Sequence, residues 1–395
     1  MPHTGTILGL TGVAMVSWIE TRLSFRMAGF LYLALSFTTL STASSAQMSL
    51  ALTGVAAVAP NDVWAVGYRN ENSGATFSST LAEHWDGTNW KAVPTPNPIG
   101  GCSSFSAVAA VSSNDVWAAG RIYERAGNCG YTNWRPKPGF LEHWDGVAWT
   151  IAKSPSPATK TFNGIAAIAE NDVWAVGYVY SNVYLNTTPL VEHWDGSQWT
   201  VQPCATIQGA QQVYLNAITA VAPNDIWAVG SYSSATVANA PFSEHWDGTT
   251  WKVVPVPENG TFLFGAASGG TNDVWATGYV DVAMRWDGSQ WISTSVANTG
   301  GSLNGVMVLP NDEAWAVGNQ FQYPSTLTLI ELWNGSTWSV VPSMNPGVSW
   351  NNLFAVSGTG LDDVWAVGGY ASASGTTNTL IEHWDGSAWT LVPSP

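Results

Sequence analysis

The segment NDVWAVGY at residues 61–68 restricts the fold of this chain more than any other feature of its sequence. Close copies return along the 395 residues, with the central Trp spaced 40 to 57 residues apart. The copies are, in chain order, NDVWAAGR at 114–121, NDVWAVGY at 171–178, NDIWAVGS at 224–231, NDVWATGY at 272–279, NDEAWAVGN at 311–319 and DDVWAVGG at 362–369. Self-similarity at a fixed period indicates one supersecondary unit whose neighbouring copies share a core.

Each repeat contains four short runs that have the composition of strands. In residues 54–96 these runs are GVAAVAP, NDVWAVGY, LAEHWDG and TNWKAVPTP, separated by turn residues such as Asn-Asp and Asp-Gly. Apolar and aromatic runs with such boundaries indicate strands joined by hairpins. No stretch after residue 46 keeps a 3.6-residue period, so we expect almost no helix.

Tryptophan occupies the same three positions in every repeat. One lies in the second run, one lies just before the Asp-Gly turn and one lies just after it. These positions account for 21 of the 24 Trp residues. They are Trp64, Trp85 and Trp90; Trp117, Trp144 and Trp149; Trp174, Trp194 and Trp199; Trp227, Trp246 and Trp251; Trp275, Trp286 and Trp291; Trp315, Trp333 and Trp338; and Trp365, Trp384 and Trp389. A buried Trp removes about 150–250 Å² from water, so we interpret the repeated indoles as core.

Four strands in each of seven repeats predict an all-β fold, a seven-bladed β-propeller of four-stranded antiparallel blades. The first run of each repeat is rich in small residues, for example Ala56 and Ala57 or Ala166 and Ala167. Because the blades are most crowded at the axis, the first strand should be innermost and the Trp-bearing third and fourth strands should lie toward the rim.

The order of these features resembles the kelch repeat. The match is closest in residues 363–395, where DVWAVGGY carries the double glycine Gly368-Gly369 and HWDGSAW carries the turn. The resemblance covers residues 49–395 and implies a kelch-like propeller. Only one repeat keeps the second glycine, and the Asp-to-Trp spacing of the turn is tighter than in kelch. The Asp-box turn of sialidases is a second, weaker resemblance.

The repeats and the N-terminal segment set the predicted domain boundaries. Residues 1–46 form a signal peptide with its preceding residues, and residues 47–395 form the propeller. The predicted blades are approximately 49–97, 98–155, 156–203, 204–257, 258–297, 298–344 and 345–395. The repeats run in frame from first strand to last, so we expect no strand to be exchanged between the chain ends and the ring to close by side-chain packing alone.

The N-terminal segment has the order of a secretory signal. Arg22 and Arg26 precede an apolar run over residues 27–40, and the small residues STASSA end at Ala46. This order predicts cleavage after Ala46 and a secreted protein. The apolar run is short for a bilayer span, so the mature form should have no stable membrane span. An uncleaved anchor is the alternative.

The charge of the chain restricts its partners. The formal net charge is −15, and the twelve Lys and Arg residues are scattered rather than clustered. A phosphate-binding face needs a basic patch, so a nucleic-acid partner is not expected. We predict a monomer that uses no cofactor and no metal and whose partner is an extracellular glycan, peptide or protein.

The polar residues of the repeat have structural roles in our interpretation. Asp62 and its copies should accept hydrogen bonds from the backbone of their own turn, as should Asp86, with Gly87 at a positive φ. His84, His143, His193, His245 and His383 share one slot on the third strand of five repeats. These histidines would lie on different blades, so we expect hydrogen bonds across blade interfaces rather than a catalytic or metal site. Repeat six has an extra residue before Trp315, and Asn334 replaces the turn Asp, so we expect a bulge and a less ordered blade there.

Loop lengths identify the face that could carry function. The second-to-third connections vary in length, with the flanking Trp residues separated by 11 to 27 positions, whereas every third-to-fourth turn has the same length. Binding residues usually lie on variable loops held by a rigid scaffold. On this face the candidate ligand-binding residues are Tyr123, Arg125, Tyr131, Trp134, Arg135 and Trp350. Tyr68, Tyr178 and Tyr279 end second strands on the same side. Trp134 could instead pack its own loop.

Three cysteines permit one disulfide in a secreted protein. Cys102 and Cys129 should lie in the same blade, on the variable face, so we predict that they pair and that Cys204 is free.

Two function classes remain open. The first is a non-catalytic propeller that binds a glycan, peptide or protein on the variable face, by stacking and hydrogen bonds. The second is an extracellular carbohydrate-active enzyme, a hydrolase or oxidase, with its site on the same face. Kelch-type propellers include a copper oxidase, which would need His and Tyr ligands near the axis. No His outside the third strands supplies them, and no catalytic residue can be named from the sequence.

Overall fold

The computed structural model describes residues 49–72, 76–98, 102–124, 135–136, 139–155, 159–181, 186–257, 262–297 and 300–395. Every regular element in these ranges is a β-strand, so the all-β prediction is confirmed for this part of the chain. In the same ranges no helix has the length and hydrophobicity of a membrane span.

The strands follow one another at short intervals. They are β1 (Ser49–Ala59), β2 (Asp62–Asn72), β3 (Thr76–Trp85), β4 (Trp90–Val93), β5 (Cys102–Ser112), β6 (Asp115–Glu124), β7 (Arg135–Pro136), β8 (Phe140–Trp144), β9 (Trp149–Ala152), β10 (Lys160–Ala169), β11 (Asp172–Tyr180), β12 (Thr187–Trp194), β13 (Trp199–Gln202), β14 (Ala210–Ala222), β15 (Asp225–Ser234), β16 (Ala240–Trp246), β17 (Trp251–Val254), β18 (Leu263–Gly270), β19 (Asp273–Gly278), β20 (Val282–Trp286), β21 (Trp291–Thr294), β22 (Ser302–Val308), β23 (Ala314–Gln322), β24 (Ser325–Trp333), β25 (Trp338–Val340), β26 (Asn351–Gly360), β27 (Asp363–Ala371), β28 (Thr377–Trp384) and β29 (Trp389–Leu391).

Within the described ranges these strands form seven four-stranded antiparallel units, each paired in chain order. Units 1 to 7 are β1–β4, β5–β9, β10–β13, β14–β17, β18–β21, β22–β25 and β26–β29, with the two-residue β7 added to β6 in unit 2. The first strands of all seven units line one central channel. The innermost position predicted for the first strand is therefore confirmed.

Each first strand bulges at the same point, and the residue after the bulge is always Gly or Ala. In unit 1 the register shifts between Leu52 and Gly54, which leaves Thr53 as the bulged residue. A Cβ on Gly54 would lie 3.1 Å from Cα of Ala107, the equivalent residue of unit 2. Neighbouring first strands thus approach most closely here, and only small side chains fit.

The bulge also explains the glycine that ends the VWAVG segment. A Cβ on Gly67 would lie 1.9 Å from the carbonyl oxygen of Ala51 on the bulged first strand. The same contact recurs at Gly177, Gly230, Gly278, Gly318 and Gly368. The repeated glycine is therefore required by the close approach of two backbones.

The repeated Trp residues form the core between units, as predicted, although one of the three positions is only half-buried. Every second-strand Trp is at most 3% exposed, and every fourth-strand Trp is also buried. The third-strand Trp is half-buried in all units except unit 6. The indole of Trp85, for example, donates to the carbonyl oxygen of Pro60 in the turn of its own unit at 3.2 Å. These indoles thus stabilise the turn between the first and second strands, at the edge of the core.

The histidines bind within their own unit, so the prediction of hydrogen bonds across interfaces is wrong. Nε2 of His84 lies 2.7 Å from Oδ1 of Asp62, and the His84 ring stacks on Trp64 at 4.4 Å. The other four histidines make the same hydrogen bond to their Asp at 2.7 to 2.9 Å, and Arg285 pairs with Asp273 at the same position in unit 5. Strand pairing explains this arrangement, because Trp64 is directly opposite His84 and Asp62 begins the same strand.

The third-to-fourth turn of unit 6 keeps the hydrogen bonds of the other units, although Asn334 replaces the usual Asp. The carboxylate of Asp86 accepts the backbone N–H groups of Thr88 and Asn89 at 2.9 Å, and Gly87 has φ 92°, as predicted. Asn334 accepts the two equivalent bonds at 3.0 and 2.9 Å, so its substitution does not break the turn. The extra residue before Trp315 lies in the connection between β22 and β23, where Asp312 has φ 65°.

A buried glutamate on the third strand attaches most units to the preceding one. Glu244 of unit 4 accepts the backbone N–H of Ala205, in the segment that leaves unit 3, at 2.9 Å. Glu331 and Glu382 accept the equivalent N–H groups of Ala297 and Met344. In unit 3, Glu192 accepts Ser154 and pairs with the buried Lys160.

The same contact closes the ring. Ser394, which follows the last strand of unit 7, donates to both carboxylate oxygens of Glu83 in unit 1 at 2.8 and 3.0 Å. A backbone bridge joins Ser49 to Thr377. No described strand is exchanged between units 1 and 7, as predicted, but the expectation of closure by side-chain packing alone is wrong.

Replacing Ser394 with Ala should weaken this closure. The variant leaves the buried Glu83 carboxyl without its hydroxyl donor, which should lower the free energy of unfolding by about 1–2 kcal/mol. Urea denaturation measures this change. Ser387→Ala is the control, because Ser387 donates to the exposed Asp385 and its loss should change stability by less than about 0.5 kcal/mol. Equal effects of the two variants would contradict the role of Ser394 in closure.

Candidate functional site

A funnel lies on the axis of the ring, above the narrow channel. It has a volume of about 510 Å³, which is in the range of about 300–1,000 Å³ usual for ligand sites. Its floor contains the bulged residue of each unit, which places one side chain from every unit in the same cavity. These residues are Thr53, Ser106, Asn163, Asn216, Phe264, Asn304 and Phe354.

The wall of the funnel lies on the variable face. Tyr68, Arg121 and Tyr178 line it, and each follows the glycine of its second strand, on the way to the second-to-third connection. Tyr214 of β14 completes the described wall. The funnel therefore opens on the face that loop lengths had indicated.

Hydrogen bonds between units hold the floor side chains in place. The amide of Asn163 donates to the carbonyl oxygen of Leu215 in unit 4 at 2.9 Å, and Asn216 donates to Leu263 in unit 5 at 2.8 Å. Asn304 donates to Leu353 in unit 7 at 2.8 Å, and Thr53 donates to Phe105 in unit 2 at 3.0 Å. Because each amide nitrogen is engaged with a carbonyl, the orientation of each side-chain oxygen is fixed.

Two groups of aromatic rings flank the amides. Tyr178 contacts Tyr214 at 4.8 Å and Tyr180 at 5.1 Å between ring centroids. In unit 5, Phe264 and Phe262 lie parallel, with an interplanar angle of 6° and centroids 6.1 Å apart. Phe262 in turn contacts Tyr279 at 6.2 Å. Aromatic contacts thus run from the floor of the funnel to the end of β19.

The funnel carries little charge. Arg121 is the one charged residue among the described residues that line it, and its Nε donates to Ser104 at 3.4 Å. Burial raises the pKa of the Tyr214 phenol, so this group is a neutral hydrogen-bonding hydroxyl at physiological pH. The described residues contain no group of three His, Cys, Asp or Glu side chains that could hold a metal.

One of the six candidate residues from the sequence reaches the funnel region. Trp350 is half-buried, and its ring lies 6.3 Å from that of Phe354 on the funnel floor. Arg125, Tyr131 and Trp134 lie outside the described residues, together with most of their loop. The backbones of Tyr123 and Arg135 lie in β6 and β7, but their side chains lie outside the description.

Two of the three cysteines lie among the described residues. Cys102 is buried and disulfide-bonded, and Cys204 is free. Cys129 lies outside the described residues, so its pairing with Cys102 stays a prediction. Burial raises the pKa of the Cys204 thiol above its usual value, which makes it a packing residue rather than a nucleophile.

Sequence reasoning missed the floor of the funnel. Its residues are the variable position in a recurring pattern of Leu or Phe, any residue, then Gly or Ala, as in Phe162-Asn163-Gly164. This pattern was a usable signal, because a variable residue inside an otherwise repetitive strand is free of the constraints that fix its neighbours. Tyr68 and Tyr178 were identified as candidates and do line the funnel.

Comparisons with known proteins bear on the fold. No protein-family model matches the chain, and no curated protein matches it. Among solved structures, a protein of unknown function from Dyadobacter fermentans is similar, with a TM-score of 0.54, 10% identity, and coverage of 85% of this chain and 94% of that one. The WD40 β-propeller domain of Doa1 matches with a TM-score of 0.51, 11% identity, and coverage of 85% and 97%.

A third similar structure is YCF48 from Cyanidioschyzon merolae. Its TM-score is 0.50 at 14% identity, with coverage of 86% of this chain and 96% of that one. Together with the repeated four-stranded sheets, these likenesses show that the chain has a β-propeller fold. At such low identities they show the fold alone.

Proposed function

We propose that this chain is a secreted, kelch-like propeller of seven blades that binds an extracellular ligand in the axial funnel without transforming it. The observation that carries the proposal is the funnel floor, where every unit contributes one side chain to a single cavity on the variable face. The order of residues in the N-terminal segment supports secretion, with cleavage after Ala46.

The chemistry of the lining supports binding. The described residues there offer amide, hydroxyl, phenol and phenyl groups, which recognise ligands through hydrogen bonds and stacking. The inter-unit hydrogen bonds of Asn163, Asn216 and Asn304 orient these groups before a ligand arrives, which reduces the entropy lost on binding. The ligand class at this level is a glycan, a peptide or a protein segment.

The long connection of unit 2 is a second candidate surface on the same face. Tyr123, Arg125, Tyr131, Trp134 and Arg135 belong to it. A carbohydrate-active enzyme on this face is the alternative function, and its residues would have to come from such connections, since the described floor carries no carboxylate.

A binding screen tests the funnel. Mature protein is applied to glycan and peptide arrays beside the Tyr178→Ala/Phe264→Ala double variant, which removes one ring from each aromatic group. We expect at least about a tenfold loss of affinity for the wild-type hits, since buried aromatic anchors dominate such sites. Tyr323→Ala is the matched control, because this tyrosine is 99% exposed on the β23–β24 hairpin and does not line the funnel.

The results of this screen distinguish binding in the funnel from binding on the unit 2 connection. Hits that survive the double variant but vanish in Trp134→Ala would place binding on the unit 2 connection and end the funnel proposal. Turnover of a chromogenic glycoside, or stoichiometric copper in the purified protein, would support the enzyme instead.

A further inference from the structure

A chain of aromatic contacts continues outward from the funnel floor over unit 5. Phe264 on the floor, Phe262 beside it and Tyr279 at the rim form a chain of ring contacts across unit 5. Tyr279 is 37% exposed and the adjacent Val280 is 50% exposed, so the outer end of this chain faces solvent. We name these three aromatic residues the unit 5 aromatic strip.

Unit 5 also has the shortest second-to-third connection of the seven units. The separation between its second-strand and third-strand Trp residues is 11 positions, against 18 to 27 in the other units. Val280 and Asp281 make the whole turn, both with positive φ, and Asp281 is held by the backbone N–H of Gly300 at 2.7 Å. A short, anchored turn leaves the strip uncovered, so a ligand longer than the funnel can leave it here.

The chemistry of the strip and floor favours a saccharide. Phe262 and Phe264 lie parallel with their ring centroids 6.1 Å apart, and this apolar aromatic surface suits the C–H groups of successive sugar rings. On the floor, the Asn163 and Asn304 amides donate to backbone carbonyls, which leaves their oxygens oriented as acceptors for ligand hydroxyls. A hydroxyl both donates and accepts, so one ligand group can serve the amide oxygens and the tyrosine hydroxyls.

Charge indicates which saccharides fit. The described lining has one charged side chain, Arg121, which already donates to Ser104, and the chain as a whole carries a net charge of −15. An anionic polymer such as a polyuronate would be repelled at long range by this field. The lining therefore suits an uncharged sugar chain.

We propose that the funnel binds a neutral oligosaccharide, with one end on the amide floor and the chain running outward over the unit 5 aromatic strip. This inference rests on the proposed function, since it specifies the ligand of the same funnel. A peptide in the funnel is the competing outcome.

Calorimetric titration of the mature protein tests it. The probes are cello-, xylo-, manno- and chito-oligosaccharides from di- to hexasaccharide, oligogalacturonates of matched length, and uncharged peptides. We expect one neutral series to bind with an affinity that rises with chain length. Tyr279→Ala should weaken the hexasaccharide about tenfold and leave the disaccharide unchanged, while Phe264→Ala should weaken both.

Tyr323→Ala is the control and should change neither affinity, and thermal unfolding shows whether each variant is folded. The inference is overturned if no neutral series binds, or if Tyr279→Ala weakens short and long chains equally. Peptides or galacturonates that bind and are lost in Phe264→Ala would overturn the saccharide assignment while leaving the funnel as a binding site. Binding that is insensitive to Phe264→Ala would overturn the funnel proposal itself.

Discussion

Replacing Gly230 with Ala is expected to lower the free energy of unfolding by about 3 kcal/mol or more. The added Cβ would lie 1.9 Å from the carbonyl oxygen of Tyr214 and 3.0 Å from Cα of Leu215. Both neighbours are backbone atoms of the bulged first strand, so no side-chain rotation relieves the overlap. Strands β14 and β15 must therefore move apart. This movement weakens the hydrogen bonds between them and the bond from Asn216 to Leu263 of unit 5.

Gly270→Ala is the matched control for this prediction. Gly270 also lies in a strand, β18, but a Cβ there would meet no atom within 4 Å. Its substitution should change stability by less than about 1 kcal/mol, because Ala mainly restricts the unfolded chain. Chemical denaturation of both variants measures the difference. A Gly230→Ala protein as stable as Gly270→Ala would show that the bulge does not require glycine.

The second large effect is a loss of stability as the pH rises. Burial raises the pKa of Glu142 and Glu244 to about 8 and that of Glu83, Glu331 and Glu382 to about 7, from 4.5. A carboxyl whose folded pKa is raised holds its proton more tightly in the folded state. Its contribution to stability is complete below about pH 4.5 and is lost as the pH rises through its folded pKa. Each tenfold difference in proton affinity between the folded and unfolded states corresponds to roughly 1.4 kcal/mol.

Exposed carboxylates in the third-to-fourth turns have the opposite effect on the pH dependence of stability, because their pKa values are lowered. Hydrogen bonds from the Ser197 hydroxyl and the turn backbone lower the pKa of Asp195 to about 2, and the pKa of Asp385 is lowered similarly by Ser387 and its turn. These groups favour the folded state above pH 3.8 and lose that effect as the pH falls toward 2. We therefore expect maximal stability near pH 4, with a progressive decline from about pH 4.5 to about pH 8.

Glu142→Gln isolates one step of this decline. Both carboxylate oxygens of Glu142 are buried without a hydrogen-bond partner among the described residues, and the amide keeps the shape without the charge. The variant should lose less stability than the parent between about pH 4.5 and pH 8. Glu170→Gln, at an exposed turn, is the control and should follow the parent. Parallel curves for Glu142→Gln and the parent would contradict the buried-carboxyl account.

The repetition of the sequence made the architecture predictable. Seven copies of one segment require equivalent environments, and a large apolar side chain at a repeated position, such as Trp64, can only be core. The same logic failed for His84, whose partner depends on which residues are opposed across β2 and β3. Both Asp62 and a neighbouring unit were chemically reasonable partners, and strand register alone decides between them.

The functional site was harder to predict because it lies at the positions where the repeat varies. Loop length favours the long connection around Trp134, since loops carry function in many scaffolds. The funnel floor is instead made by residues such as Asn216, which project from strands because a bulge turns them toward the axis. The bulge is a consequence of backbone packing, and its one trace in the sequence is a variable residue between Leu or Phe and Gly or Ala.

Unit 5 has Met284 where six other units carry the buried glutamate. The trailing segment of unit 4 contacts it through Val256, in the same apolar cluster, so this joint lacks the carboxyl group that the other units place at the equivalent position. Alkaline conditions therefore loosen the other joints and leave this one unaffected. At high pH the closed ring should consequently part first at one of the carboxyl joints rather than at the apolar joint beside the aromatic strip.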